Sequence, residues 1–386
     1  MRAALAALAL VLAARVSAAP RPLLGASYPG ARGGFADAAR RLSELKAIGF
    51  RQVSLIPTYP YVDLDKIDFA RGPSTGELES ALGAALDSGF VVVLKPHLDP
   101  LAYFPGFDRN SPEGRSWRAA CPWRGYFDVD PMSADYREGL IRGNLEALSR
   151  VLKARPDAPP VRFELGVELM NSVAEHPERW AQLLDFAKAE RRRLGLDGRV
   201  LLSHNFEHHF EMPNEVAARL PPPGRRALAR YVKGLDALAL SQYMDLTVAM
   251  PPAEIGRRMP TADEVARALV QHEESFRRDV LRGVLGLTRA EIPPLHIGEF
   301  GVGTGGLRRP NVWDGELSAE QEKALELEIA RGHEGLARYL SRDDGRRALS
   351  ATLWVTGRHY DVFGWENPRN AIPGAADADR AYLSGR

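Results

Sequence analysis

Short apolar runs alternate with longer amphipathic stretches along the chain after Pro20. An apolar run of this length, followed by a stretch with helical periodicity, is typical of a parallel strand that is buried on both faces. Eight such runs predict eight strands: Leu23–Tyr28, Gln52–Tyr59, Val91–Leu98, Val161–Leu169, Arg199–Phe206, Ala237–Met244, Leu295–Gly301 and Leu349–Thr356.

The stretches between the runs carry apolar residues at helical spacing, which predicts amphipathic helices. Six of them are regular: Phe35–Ile48, Thr75–Ser88, Ser133–Lys153, Pro177–Leu194, Thr261–Leu281 and Ser318–Leu340. Eight repeats of strand and helical stretch predict a single (β/α)8 TIM barrel over residues 20–386, a fold that takes ~250 residues or more. The alternative is a doubly wound open sheet, but the residues Gly25–Gly30 do not fit its G-x-G-x-x-G phosphate loop.

The first 19 residues have the three-part pattern of a secretory signal. Arg2 precedes the apolar stretch Ala3–Ala14, and small residues follow at Ser17–Ala19. The apolar stretch has twelve residues, fewer than the roughly 20 that a helix needs to span a bilayer. We therefore predict residues 1–19 to be a cleaved signal peptide, and the mature chain to be secreted or periplasmic without a membrane anchor.

Composition and charge narrow the function classes. The 386 residues include 51 basic and 50 acidic side chains, and 45% of the residues are hydrophobic, as in ordinary soluble globular proteins. The absence of a basic excess argues against nucleic-acid binding. Because Cys121 is the only cysteine, no intramolecular disulfide or thiolate metal cluster can form. We expect a monomer that needs neither a metal nor a cofactor.

Polar and aromatic residues follow one another at the ends of the predicted strands. In (β/α)8 barrels the active site lies at the carboxyl ends of the strands. The residues at these ends are Lys95 and His97 (third strand), Glu168 (fourth), Asn205 (fifth), Tyr243 (sixth), Glu299 (seventh) and Trp354 (eighth).

The two glutamates are the strongest candidates for chemistry. Strict alternation along the fourth strand places Glu164, Gly166 and Glu168 on the inner face, and along the seventh it places Leu295, Ile297 and Glu299 there. Because the fourth and seventh strands lie on opposite sides of an eight-stranded barrel, Glu168 and Glu299 are expected to face each other across its mouth. Two carboxylates that flank one bond are the apparatus of glycoside hydrolysis.

Three segments resemble the retaining glycoside hydrolases of clan A, and most of all glycoside hydrolase family 113, the endo-β-1,4-mannanases. They are Leu94–His97, Gly166–Leu169 and Ile297–Gly301. The resemblance implies that Glu168 is the acid/base and Glu299 the nucleophile. It also implies that Tyr243 holds the nucleophile and that Trp354 forms the floor beneath the sugar.

The chain departs from the clan pattern at Val167, where an asparagine is usual, so recognition of the sugar 2-hydroxyl would fall to another residue such as Asn205. The acid/base and nucleophile roles also require the pKa of Glu168 to lie above that of Glu299.

Residues near the two glutamates leave alternatives open. Lys95 either neutralises Glu164 or binds substrate hydroxyls, and His97 either donates to a sugar hydroxyl or orients Glu168. The long loop after the third strand, Pro100–Pro131, is rich in aromatic residues. They form stacking platforms for sugars, with Trp123 as the candidate, or a small core of their own: Tyr103, Phe104, Phe107, Trp117, Trp123, Tyr126 and Phe127.

Two other functions compete with hydrolysis by paired glutamates. The segment from His204 through Glu207 to His208 matches the zinc pattern H-x-x-E-H, which requires both histidines on one helix, whereas His204 ends a predicted strand. A barrel that binds polysaccharide without cleaving it is the second alternative. The sequence thus predicts a secreted retaining glycoside hydrolase whose substrate is a β-linked polysaccharide, with β-mannan as the candidate.

Overall fold

The computed structural model describes residues 21–31, 33–63, 66–100, 124–207, 220–244, 246–255, 257–302, 318–342, 347–356, 360–365 and 367–385. The predicted signal peptide, Trp123 with most of the aromatic loop, Cys121 and His208 lie outside these residues. Within them, no helix combines the length and the apolar character that crossing a membrane requires.

Eight parallel strands form a closed barrel. Strand β1 pairs with both β2 and β8, and every other strand pairs with its sequence neighbours. The strands are β1 Leu23–Gly30, β2 Gln52–Asp63, β3 Val91–Leu94, β4 Val161–Val167, β5 Val200–Glu207, β6 Ala237–Met244, β7 Leu295–Val302 and β8 Ser350–Leu353. The structure therefore confirms the predicted (β/α)8 barrel.

The third predicted strand is divided in two. After β3, the chain forms a short second strand, His97–Pro100, which pairs in parallel with the outer half of β2. Another short strand, Lys66–Ile67, pairs antiparallel with the end of β2. Both short strands extend the wall of the barrel beyond the carboxyl ends of the main strands.

Helices alternate with the strands and surround the barrel. They are α1 Ala38–Ile48, α2 Thr75–Asp87, α3 Gly143–Lys153, α4 Met170–Glu175, α5 Pro177–Arg193, α6 Pro222–Gly234, α7 Ala262–Ser275, α8 Ala319–Leu340 and α9 Pro373–Ser384. A π-helical segment, Asp135–Arg142, leads into α3, and another, Phe276–Val284, follows α7. Helices α2, α7 and α8 begin with capping boxes, in which a serine or threonine and a residue three positions later bond each other's backbone N–H groups.

The two faces of the barrel strands have different chemistry. The outer face packs apolar side chains such as Phe163 and Leu240 against the helices. The interior instead holds hydrogen-bonded or ion-paired polar side chains: Gln52, Ser54, Lys95, Arg162, Glu164, Asn205, Ser241, Glu299 and Thr352. A buried charge is tolerated only when it is paired. The charged side chains of the interior accordingly form ion pairs with one another.

The alternation predicted for β7 is wrong. His296 Nδ1 lies 2.8 Å from the inward Ser350 Oγ, and a Cβ on Gly298 would meet a β5 side chain inside the barrel. His296 and Gly298 therefore face the interior, while Leu295 and Ile297 join the hydrophobic core on the helix side.

Register shifts explain how the glutamates still reach the mouth. Strand β7 shifts register against both neighbours just after Ile297, and the extra residue of such a bulge turns Glu299 inward. Strand β4 shifts between Glu164 and Val167. There Gly166, predicted to face inward with Glu164, abuts Trp180 of α5 instead.

Candidate active site

Glu299 sits near the end of β7 among three side chains, two from the residues that follow β3 and one from the end of β6. Lys95 Nζ lies 3.2 Å from Glu299 Oε1 and also donates to the Gly298 carbonyl at 2.7 Å. His97 Nε2 lies 3.2 Å from the same carboxylate oxygen. The Tyr243 hydroxyl donates to Glu299 Oε2 at 2.7 Å. The carboxylate is thus held at both oxygens.

The charges around Glu299 favour its ionised form. Burial alone would raise the pKa of Glu299, but the positive charge of Lys95 and the contact with His97 hold that pKa well below its usual range. Burial and the nearby Arg124 lower the pKa of His97 to about 4, so the imidazole is neutral at neutral pH. Glu299 is therefore a carboxylate over the whole neutral range.

Glu168 follows the end of β4 in an unusual backbone conformation. Its φ of 56° is left-handed, and among the described residues no other residue except glycine has a positive φ. Such a conformation costs about 1–3 kcal/mol and is concentrated at functional sites. The Glu168 N–H donates to the Asn205 carbonyl at 2.8 Å, and Arg124 Nη1 donates to Glu168 Oε2 at 2.8 Å. One hydrogen bond at its backbone and one at its carboxyl group therefore fix the position of Glu168.

Glu168 titrates in the opposite direction from Glu299. Burial and the negative charge of Glu299 raise the pKa of Glu168 to about 8, although Arg124 opposes the rise. This is the order of pKa values predicted from the sequence. The charge of Glu299 acts on the pKa of Glu168, and Arg124 acts on the pKa of both carboxyl groups, so Glu168 and Glu299 belong to one site.

Several side chains at this site were not found from the sequence. Arg124 lies within the long loop Pro100–Pro131 and binds both Glu168 and Asp99. Tyr360 packs edge-on against Tyr243 with ring centroids 5.9 Å apart. Burial and the charges of the two glutamates raise the pKa of Tyr360 to about 12. Both residues come from loops, where no periodic pattern signals the direction of a side chain.

The structure shows which carboxylates Lys95 and His97 contact, and the binding of substrate hydroxyls by either residue stays a prediction. Lys95 is fully buried and contacts both Glu164, at 3.5 Å, and Glu299, so it neutralises carboxylates. The expectation that His97 orients Glu168 is wrong, because His97 contacts Glu299. Its ring stacks on Trp354, with centroids 5.8 Å apart and planes 13° apart.

Asn205 faces the interior, as its parity in β5 predicts. Its side chain is fully buried and donates to Ser241 Oγ at 2.9 Å, and a hydrogen bond from Ser241 in turn favours the ionised form of Glu168. Asn205 therefore acts on Glu168 through Ser241. Recognition of a sugar hydroxyl by Asn205 and the sugar contacts of Trp354 stay predictions, and Trp123 lies outside the described residues.

The zinc pattern does not have the structure that it needs. His204 and Glu207 lie on a strand, where residues three apart point to opposite faces, and not on a helix. His204 Nδ1 lies 2.8 Å from the Tyr231 hydroxyl in the helix-facing layer, and burial lowers the pKa of His204 to about 3. Glu207 instead raises the pKa of Glu168 through its charge. Among the described residues no cluster of three metal-binding side chains occurs.

No protein-family model matches the sequence, and no curated protein matches it. Solved structures do match the fold. A GH113 β-1,4-mannanase shares 15% identity over 95% of this chain and 98% of that one, with a TM-score of 0.56. The GH113 β-mannanase AaManA from Alicyclobacillus acidocaldarius, in complex with ManMIm, shares 17% identity over 95% and 97% of the two chains, with a TM-score of 0.55.

A GH5_18 structure from Streptomyces cattleya, in complex with GlcNAc, is also similar. It shares 14% identity over 95% of this chain and 81% of that one, with a TM-score of 0.52. The fold of this chain is therefore the (β/α)8 barrel of GH113 and GH5_18 structures, one of which is the family that its strand-end motifs resemble.

Proposed function

We propose that the protein is a retaining glycoside hydrolase that acts on a β-linked polysaccharide, with β-mannan as the first candidate. One observation carries the proposal: two buried glutamates at the ends of β4 and β7 share a site and have pKa values shifted in opposite directions. A carboxylic acid beside a carboxylate is what a double displacement at a sugar carbon needs.

In the first step, Glu299 attacks the anomeric carbon and forms a covalent ester with the sugar. Glu168 donates its proton to the departing glycosidic oxygen as that bond breaks. In the second step, the Glu168 carboxylate takes a proton from water, and the resulting hydroxide attacks the anomeric carbon and releases Glu299. Lys95 and Tyr243 keep Glu299 ionised and fixed in place before its attack on the anomeric carbon.

The choice of mannan rests on similarity. The structures that share the fold include GH113 β-mannanases, and the motifs around Lys95, Glu168 and Glu299 resemble that family. We propose an oligosaccharide or polysaccharide as the binding partner on the same grounds. Secretion rests on the signal pattern of residues 1–19 and is tested by N-terminal sequencing of the protein recovered outside the cell.

The stereochemistry of azide products tests both glutamates. With an activated aryl β-mannoside, Glu168→Ala accumulates the glycosyl-enzyme, and azide releases it as the β-mannosyl azide. Glu299→Ala lacks the nucleophile, so azide attacks the substrate directly and gives the α-mannosyl azide. Wild-type enzyme assayed with and without a chelator is the control for metal dependence.

Two outcomes contradict the proposal. If the wild-type protein binds mannan and other β-linked polysaccharides but releases no product at high enzyme concentration, the barrel is a binding module. If the azide products have the opposite configurations, the roles of Glu168 and Glu299 are exchanged. A panel of β-linked oligosaccharides identifies the sugar if mannan is not cleaved.

A further inference from the structure

A buried chain of charges connects the wall of the barrel to Glu168. Asp99 lies on the short strand His97–Pro100, and its Oδ1 accepts from Arg124 Nε at 3.1 Å. Arg124 Nη2 also binds Asp99, and Arg124 Nη1 donates to Glu168 Oε2 at 2.8 Å. The Leu98 carbonyl accepts from Arg124 Nε at 3.3 Å. The guanidinium is therefore fixed by the barrel wall on one side and holds Glu168 on the other.

The geometry favours a positioning role for Arg124 over direct binding of substrate. Its side chain is only 11% exposed, and the Asp99 carboxylate already compensates its charge. A guanidinium is planar, so a fork that is anchored on Asp99 also fixes the direction in which Nη1 points. Oε2 of Glu168 is thereby held by a donor that cannot rotate freely.

We propose that Asp99 and Arg124 form a positioning pair that orients the Glu168 carboxyl group for proton transfer to the leaving group. The inference rests on the proposed function and adds two residues to its machinery. Neither residue touches the reacting atoms in this role, because both act through Glu168.

The pair also affects the pH at which Glu168 loses its proton, together with the other groups around that carboxyl. These groups are Glu299 of β7, Glu207 of β5, Ser241 and Tyr243 of β6, and Tyr360 after β8. The positive charge of Arg124 favours the ionised form of Glu168. Loss of Arg124 therefore raises the pKa of Glu168, whereas loss of the Asp99 charge leaves Arg124 less compensated and lowers that pKa.

Three variants separate orientation from charge: Arg124→Gln, Arg124→Lys and Asp99→Asn. The alkaline limb of kcat/KM against pH reports the pKa of Glu168 in the free enzyme. We expect this limb to move up by about one pH unit in Arg124→Gln and down in Asp99→Asn, since a charge within hydrogen-bonding distance shifts a pKa by about 1–3 units. Arg124→Lys keeps the charge, so its limb stays near the wild-type position.

The leaving group gives a second measurement. A mannooligosaccharide needs protonation of its leaving oxygen, whereas a 2,4-dinitrophenyl β-mannobioside does not. Arg124→Gln and Arg124→Lys should both lose about 10–100-fold in kcat/KM on the oligosaccharide, which is part of the about 10²–10⁴-fold that general acid catalysis supplies, and much less on the dinitrophenyl substrate. The matched controls are Arg155→Gln and Asp87→Asn. They break an Arg–Asp pair of 2.7 Å between the ends of α2 and α3, and should leave both measurements unchanged.

Two results would overturn the positioning pair. One is an alkaline limb that moves in the same direction, or not at all, in Arg124→Gln and Asp99→Asn. The other is an equal loss on both substrates in variants whose thermal unfolding shows that they are folded. A titration of ¹³C-labelled glutamate carboxyls, with the Glu168 signal assigned from Glu168→Gln, measures the same pKa shifts without any substrate. If the protein cleaves no glycoside but these shifts occur, the proposed function fails while the coupling of the pair to Glu168 stands.

Discussion

Glu168 and Glu299 are both almost fully buried at the ends of barrel strands, 2% and 1% exposed, yet their surroundings differ. Lys95, His97 and Tyr243 contact Glu299; the first two follow β3 and the third lies at the end of β6. Glu168 forms an ion pair with Arg124, which is shared with Asp99. Burial raises the pKa of a carboxyl group in either place, so the difference in acidity comes from the neighbours.

The comparison shows how one fold gives two residues of the same type opposite shifts in pKa, as the proposed acid and nucleophile require. A buried lysine beside Glu299 stabilises the carboxylate more than burial destabilises it. Beside Glu168, the negative charge of Glu299 adds to the effect of burial, and Arg124, already paired with Asp99, offsets only part of it. The placement of two cations, Lys95 and Arg124, around the two glutamates therefore sets the difference in their pKa values.

Replacement of Lys95 should have the largest effect on the difference in pKa between Glu168 and Glu299. Lys95→Met leaves Glu164 and Glu299 buried without their shared cation, and breaking a buried ion pair costs about 3–5 kcal/mol. The pKa of Glu299 rises, so the acid limb of kcat/KM moves to higher pH. Because Glu299 has a depressed pKa in the folded protein, its contribution to wild-type stability is complete above the unfolded-state pKa of about 4.3 and is lost only as the pH falls from there toward the much lower folded pKa. In Lys95→Met the raised pKa lets Glu299 bind a proton by pH 4, which removes the unpaired buried charge, so urea unfolding should show a smaller difference from wild type at pH 4 than at pH 7.

Removal of the Tyr243 hydroxyl should weaken the nucleophile at a smaller cost in stability than the loss of Lys95. A hydrogen bond to a charged group is worth about 1.5–3 kcal/mol, so Tyr243→Phe should lower kcat/KM by about 10–100-fold. The acid limb should rise because Glu299 loses a donor to its ionised form. An unchanged acid limb would mean that Tyr243 does not hold the carboxylate in the working enzyme.

The pH profile of the wild-type enzyme should follow the two carboxyl groups. Glu168 must be protonated for the first step, so kcat/KM should fall about tenfold per pH unit above about pH 8. Glu299 must be ionised and has a low pKa, so the acid limb should lie well below neutral pH. An alkaline limb below pH 6 would contradict the assignment of Glu168 as the acid.

Replacement of His204 should not change the difference in pKa between Glu168 and Glu299. His204→Leu removes the partner of the buried Tyr231 hydroxyl, which costs about 1–3 kcal/mol. Its side chain lies in the helix-facing layer, so kcat and its pH dependence should stay close to wild type. A large loss of kcat in a folded variant would mean that His204 contributes to function.

The strands were predicted to within a few residues. Ala237–Met244 has the predicted bounds, and β5 is displaced by one residue at each end. The capping serines and threonines before α2, α7 and α8 mark their starts equally well. These features are encoded locally, by residues within one or two turns or pleats of each other.

The orientation of side chains near the mouth was predicted less well. Strict alternation along β7 predicted the inward direction of Glu299 correctly, although it assigned Leu295 and Ile297 to the wrong face. The bulge at Gly298 reverses the alternation, so that Glu299 points inward after all. Arg124 was missed because its role depends on Asp99 and Glu168, which are distant in the chain. Neither a bulge nor a loop-borne ion pair leaves a periodic trace in the sequence.

The sequence by itself determined the alternation of strands and helices, the closed barrel that this alternation implies, and which strands end in glutamate. Only the tertiary structure decided that His97 contacts Glu299, that Asn205 supports Glu168 through Ser241, and that Arg124 joins Glu168 to Asp99. Hydrophobic periodicity is a property of neighbouring residues, whereas these contacts depend on the register of strands that meet only when the barrel closes. The difference in pKa between the two glutamates also depends on these tertiary contacts.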